Sequence, residues 1–211
     1  GYEFPGYAER IARMDEALRI IVSLLNGEKV DSKGTYYAAH SAKLYSPPLG
    51  QVPVWMAAGG PKSAAFAGQH ADGLITSVKD PTSTLATVIG PYRSAAAVRG
   101  AGTTIMATRW VVLARDDDEA WAALAPMRGL RAPGRLEVAD PAILRERADA
   151  MPRSAVLEQF TVVRHVDELV DAYQPLVRDV GADYVAIQVA SVDPMKTIEL
   201  VGSQALGRLR A

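Results

Sequence analysis

The 211-residue sequence has no cysteine, only three histidines, three tryptophans and three phenylalanines, and a formal net charge of -1. Without cysteine there is no disulfide framework, no thiolate nucleophile and no cysteine-ligated metal, and a reducing compartment is compatible with that composition. The three histidines, His40, His70 and His165, fall in a loop, at a helix end and at a helix start, without metal-site spacing. The near-zero charge removes the electrostatic reason to expect nucleic acid or an anionic membrane as partner. No apolar run approaches the roughly 20 residues of a membrane-spanning helix. A G-x-S-x-G elbow, a P-loop and G-x-G-x-x-G are all missing, so serine hydrolysis and the common nucleotide-binding fingerprints have no support. The chain starts at Gly1 with no charged-then-apolar leader, and it reads as an excerpt.

What is present is an ordinary globular composition, 49% hydrophobic and 22% charged, enough for one core and a single domain over residues 1–211. Tyr7, Ile11, Met14, Leu18, Ile21, Val22 and Leu25 recur at three- and four-residue steps and predict an amphipathic helix over 6–26, ended by Asn26-Gly27. Residues 28–50 predict a small hairpin or ordered loop packed by its tyrosines. Val52–Ala57 reads as a continuously apolar strand covered on both faces. A helix from Pro61 to about Gln69 follows, then the strand Leu74–Ser77, giving a β-α-β unit whose crossover is long enough for parallel pairing.

Asp80-Pro81-Thr82 opens the next helix, with Leu85, Val88, Ile89 and Tyr92 on one face, and Gly90-Pro91 is expected to kink or interrupt it. Thr103–Leu113 is a β-branched, apolar strand. The acidic run Asp116–Glu119 behind it suits a solvated helix start rather than a metal, because consecutive residues there do not converge on one point. A basic loop spans 126–140, Asp140-Pro141 starts a helix to about Met151, and Phe160–Val163 is a short strand. A helix over 167–180, the strand Tyr184–Val189 and a helix from about Met195 to Leu209 complete the chain. The alternation predicts a parallel α/β sheet or barrel.

The stretch that organises the rest is Ala58-Gly59-Gly60-Pro61. Glycines let a ligand approach the backbone closely, and the helix start behind them offers N–H groups to an electron-rich group. By itself such a connection is more often a plain tight loop. α/β folds place ligands at the carboxyl ends of strands, and Ser77-Val78-Lys79 lies on the same edge.

Tyr7-Ala8-Glu9-Arg10, Gly34-Thr35-Tyr36-Tyr37, Val52 through Pro61, Ala67-Gly68 and Ala71-Asp72-Gly73-Leu74-Ile75 together resemble the luciferase-like monooxygenase superfamily. Within it the chain is most similar to the branch that uses the deazaflavin coenzyme F420, typified by F420-dependent glucose-6-phosphate dehydrogenases. The resemblance implies a (β/α)₈ TIM barrel of which this chain supplies roughly the C-terminal half of the strands. The histidine, tryptophan and glutamate of the chemistry are then expected upstream of Gly1, no catalytic residue is assigned here, and the fragment alone is expected to be inactive. It also implies a small-molecule substrate, a homodimer and a cytoplasmic location. Carried over residue by residue, Ala58, Gly59 and Gly60 cradle the coenzyme, Lys62 and Ser63 lie at the adjoining helix start, and Ser77 stands where the family has a threonine. Lys62 either adds charge near the coenzyme's phosphate or points to solvent. Of three cations in the family's sugar-phosphate pocket, the first falls on Asp80 with Lys79 one place off, the second on Arg135 and the third on Gln159. The implied reaction is hydride transfer between F420 and an alcohol or sugar-like substrate other than glucose 6-phosphate. The alternatives are an FMN-dependent monooxygenase and a non-catalytic flavin-binding relative.

Overall fold

The computed structural model describes residues 4–209, and the chain falls into two compact units, residues 1–54 and 55–211. The first unit consists of α1 (Tyr7–Leu25) and an antiparallel hairpin of β1 (Val30–Lys33) and β2 (Ala38–Ala42). Of the apolar stripe on α1 only Leu18 is buried. The hairpin turn is held by charge rather than by tyrosine packing. The Glu16 carboxylate accepts the backbone N–H groups of Thr35, Tyr36 and Tyr37, the last at 2.6 Å. Tyr36, Tyr37 and Tyr45 are exposed, so the expectation of a tyrosine-packed loop is corrected. Three N–H donors turned toward one point are satisfied better by a carboxylate than by rings.

The second unit is built on β3 (Trp55–Ala57), β4 (Gly73–Ser77), β5 (Thr104–Leu113), β6 (Thr161–Val163) and β7 (Tyr184–Ala190), all parallel. β5 is long enough to take three partners. Residues 104–108 pair with β4, residues 106–112 with β7, and residues 111–113 with β6. Ala107 and Thr108 therefore lie between β4 and β7, and Val111 and Val112 between β6 and β7. The order across the sheet is β3-β4-β5-β7, and β6 continues the β4 edge beyond the end of that strand. β3, β4, β5 and β7 follow one another across the sheet in chain order, and β6 belongs to an excursion, residues 114–165, inserted between β5 and its crossover helix. The strand expected over 52–57 is confined to Trp55–Ala57, with Val52 and Pro53 exposed. Pro53 has no N–H for a ladder, and the strand has a paired neighbour only in β4, as suits an edge.

Helices α2 (Pro61–His70), α3 (Pro81–Thr84), α4 (Gly90–Arg99) and α8 (Val166–Arg178) cover one face of this sheet; the excursion contributes α5 (Asp117–Ala123), α6 (Pro141–Asp149) and α7 (Arg153–Leu157), and α9 (Pro194–Gln204) closes the chain. Aspartates cap the starts at Asp80, Asp116, Asp140 and Asp193, each side chain accepting an N–H of its helix's first turn. Between α3 and α4 the chain makes a π-helical turn, Leu85–Ile89, and Gly90 N–H reaches back to the Leu85 carbonyl. The interruption expected at Gly90-Pro91 is thus a widened turn, which accommodates a proline lacking its N–H. The helix expected to reach Met151 ends at Asp149, and Pro152 starts α7.

The core lies between sheet and helices. Leu74, Ile105, Ala107 and Val111 pack against Ala64, Ala67, Ile89, Tyr92 and Tyr173. By strand alternation Trp55, Ile75, Met106, Thr108 and Trp110 project from the opposite face. There the Trp55 ring stands edge-on to Tyr184 at 5.6 Å and fills the space above Gly73, where a Cβ would lie 2.5 Å from the indole.

Candidate functional site

The carboxyl ends of β3 and β4 carry the residues singled out in the sequence. Ala58 is buried and donates its N–H to the Ile75 carbonyl at 3.0 Å, which extends the β3–β4 ladder to the start of the glycine turn. Gly60 is the N-cap of α2, and nothing lies within 4 Å of a Cβ built at Gly59 or at Gly60. Lys62 is exposed and Ser63 partly buried on the first turn of α2.

Two cavities flank the end of β4. One, of about 490 Å³, is lined by Gly59, Thr76, Ser77, Asp80, Ser83 and Thr87 among others. The Thr76 side chain is 2% exposed and its hydroxyl has no hydrogen-bond partner. A buried, unsatisfied hydroxyl costs about 1–3 kcal/mol, and Thr76 is among the residues that line this cavity. The predicted consequence is counter-intuitive. Thr76→Val should raise the thermal midpoint of the ligand-free protein by about 2–4 °C, and calorimetry showing a lower midpoint would mean the hydroxyl is already satisfied.

The second cavity, about 130 Å³, is lined by Ser77, Lys79, Arg109, Trp110, Arg131 and Gln159, with Phe160 beside them. Of the three substrate residues carried over by resemblance, Lys79 and Gln159 come together here. Arg135 is exposed and is not part of this lining. Two cations of this cavity were not singled out. Arg109 donates to the carbonyls of Val78 and Lys79, both at 2.8 Å, and of Ala172 at 2.5 Å. It thereby ties the loop after β4 to α8. Burial pulls its pKa below the ordinary arginine value, against the opposing effects of Tyr173 and Asp80. The sequence signal for it was a lone charge inside the otherwise apolar, β-branched stretch 103–113. Arg131 stacks over the Phe160 ring at 4.9 Å, and its Nε is buried without a partner. A larger cavity of about 760 Å³ lies past the ends of β5 and β7, and in its lining Arg115 is paired with Glu119 and Arg208 with Asp167. None of the coenzyme or substrate residues carried over by resemblance lines it. Among the described residues no cluster of histidine, aspartate and glutamate is placed to hold a metal ion, and no helix is long and apolar enough to cross a membrane.

A family model described as luciferase-like monooxygenase matches residues 2–184. The chain belongs to that family. Among curated proteins, this luciferase-like chain is 33% identical to an F420-dependent glucose-6-phosphate dehydrogenase of Microbacterium testaceum, with all of the chain aligned to 64% of the relative. It is 27% identical to a protein of the same description from Nocardia farcinica, over 99% of the chain and 64% of the relative. Among solved structures, an F420-dependent secondary alcohol dehydrogenase in complex with an F420-acetone adduct superposes with a TM-score of 0.85 at 23% identity, covering 99% of this chain and 64% of the other. The luciferase-like chain thus spans about 64% of the length of the relatives it matches, and its parallel sheet corresponds to part of a barrel.

Proposed function

We propose that the full-length protein is an oxidoreductase transferring a hydride between coenzyme F420 and the carbinol carbon of an alcohol or sugar-like substrate other than glucose 6-phosphate. The observation that carries this reading is the open Gly59-Gly60 turn beside the buried, unpartnered Thr76 hydroxyl at the carboxyl edge of the sheet. The F420-dependent descriptions of the relatives supply the chemistry. When bound, the deazaflavin ring accepts or donates the hydride. This chain's residues position it. The backbone of Ala58, Gly59 and Gly60 lets the coenzyme lie close to the start of α2, where Lys62 and Ser63 flank its polar part, and Ser77 and Thr76 offer hydroxyls. Arg109 fixes the loop that carries Lys79 and so keeps the two cavities in register.

Residues 1–211 form part of one barrel domain in this reading, and they bind without turning over unless the strands that complete the barrel are present. The homodimer and the cytoplasmic location belong to the same proposal. The competing reading is an FMN-dependent monooxygenase, favoured by the description of the family model itself; a non-catalytic relative would bind either flavin without turnover. Titration of the full-length protein with F420 and, separately, FMN distinguishes them. F420 is expected to bind at micromolar concentration or below, and tight FMN binding without F420 binding would overturn the proposal.

A further inference from the structure

We propose that Arg109 is a positioning residue for the coenzyme: together with Tyr173 it clamps the loop after β4, residues 77–80, and so sets the direction in which Ser77 and Lys79 are presented. Along β5 the side chains of Ile105, Ala107 and Val111 are fully buried on the helix-facing side of the sheet, and Arg109 falls on the same side by alternation. An apolar residue there would avoid desolvating a charge. The guanidinium instead meets three backbone carbonyl oxygens from two separate segments, those of Val78 and Lys79 in the loop and of Ala172 in α8. Pro175 lies within α8. A proline gives no N–H to the turn before it and its ring crowds that turn, which is where Ala172 stands. The Tyr173 hydroxyl, on a fully buried side chain, donates to the Arg109 carbonyl at 2.5 Å. Two successive residues of α8 thus hold Arg109, one by its guanidinium and the other by its carbonyl.

The loop alternates in burial. Val78 is 1% exposed and anchors it in the core, while Ser77 and Lys79 on either side are exposed. Hydrogen bonds from two adjacent residues of β5 fix its backbone: the Val78 N–H donates to the Thr108 carbonyl at 2.9 Å, and Arg109 takes the Val78 and Lys79 carbonyls. Ser77 and Lys79 each line both cavities at the end of β4, so a rotation of this backbone moves a wall of both at once. Nε, Nη1 and Nη2 of Arg109 each already donate to a carbonyl, and the residue therefore acts through the loop rather than on a ligand. Losing a pre-organised wall lowers affinity without removing any contacting group. Neither Arg109 nor Tyr173 is among the positions that family resemblance carries over. The coenzyme part of this inference rests on the proposed function, and the clamp itself does not.

The test uses the full-length protein and two readouts. Backbone hydrogen exchange, followed by mass spectrometry without coenzyme, is expected to quicken over residues 77–84 in Arg109→Met and to stay unchanged there in Arg93→Met. Arg93 is the matched control, since its guanidinium also donates to two carbonyls, of Val180 and Gly181, just past the end of α8. In F420 titrations well below the thermal midpoint, Arg109→Met should weaken binding about tenfold and Tyr173→Phe by less. Arg109→Lys should recover part of the loss, and Arg93→Met should bind as the wild type does. Arg109→Lys and Tyr173→Phe carry the test if the methionine variant does not fold. Unchanged F420 affinity in Arg109→Met, equal losses in Arg109→Met and Arg93→Met, or exchange that quickens evenly along the chain would each overturn the inference. A wild type that binds no F420 would overturn the proposed function and the coenzyme role with it, while exchange still decides the clamp.

Discussion

Gly60→Val is expected to weaken coenzyme binding by about ten- to a hundredfold while leaving the fold intact. Gly60 has φ -154° and ψ 164°, extended backbone open to any residue, and no atom lies within 4 Å of the added Cβ. Valine is a poorer N-cap than glycine, by up to roughly 1 kcal/mol. It also restricts the unfolded chain more, which offsets about 0.4–1 kcal/mol. Those terms nearly cancel, and the thermal midpoint should stay within about 4 °C. The isopropyl group instead projects into the space through which a ligand reaches the backbone. Parallel F420 titrations of the full-length wild type and variant decide the matter, and equal affinities would remove the glycine turn from the site.

The second large effect concerns the fold. Gly68 lies on α2 where that helix crosses α4, and a Cβ there would sit 2.4 Å from the Tyr92 carbonyl oxygen and 2.9 Å from both the Ala95 Cβ and the Ala96 nitrogen. Gly68→Ala gains about 1 kcal/mol in helix propensity. The clash is larger, because the nearest obstacle is backbone and the two helices must separate. Their interface includes Ala64, Ala67 and Ala96, all fully buried, so separation uncovers tightly packed surface. A net loss of about 1–3 kcal/mol is expected, lowering the midpoint by about 2–12 °C. A raised midpoint in a thermal melt would show that the two helices do not pack as described.

Much of this architecture could be read from short-range chemistry. Asp80-Pro81 and Asp140-Pro141 mark helix starts because an aspartate cap and a proline in the first turn serve the same end. The glycine turn and Ser77 were legible because strand ends announce themselves in apolar runs. What escaped depends on distant residues. The place of β6 beside β5 follows from the length of β5, and no local pattern in Phe160–Val163 encodes it. Thr76 and Ser77 are adjacent hydroxyls, and only the packing of α3 and the π-helical turn against the sheet buries the first and leaves the second exposed. Arg135 and Arg131 are equivalent by composition. The 3₁₀ turn over Arg128–Arg131 and the Phe160 ring bring Arg131 to the cavity.

The excursion between β5 and α8 leaves from Leu113 and returns at Val163, and those two residues are register partners, with the Ala114 N–H donating to the Val163 carbonyl at 3.1 Å. Its two ends are therefore fastened to each other before any of its interior is specified. Closing a loop whose anchors already touch costs little more as the loop grows, about 0.6 kcal/mol per doubling of length. Some fifty residues can then be rewritten, lengthened or exchanged as a cassette while strand order and the glycine turn stay as they are. A lineage holding this scaffold could vary one replaceable segment while the glycine turn, the proposed seat of the coenzyme, stays untouched.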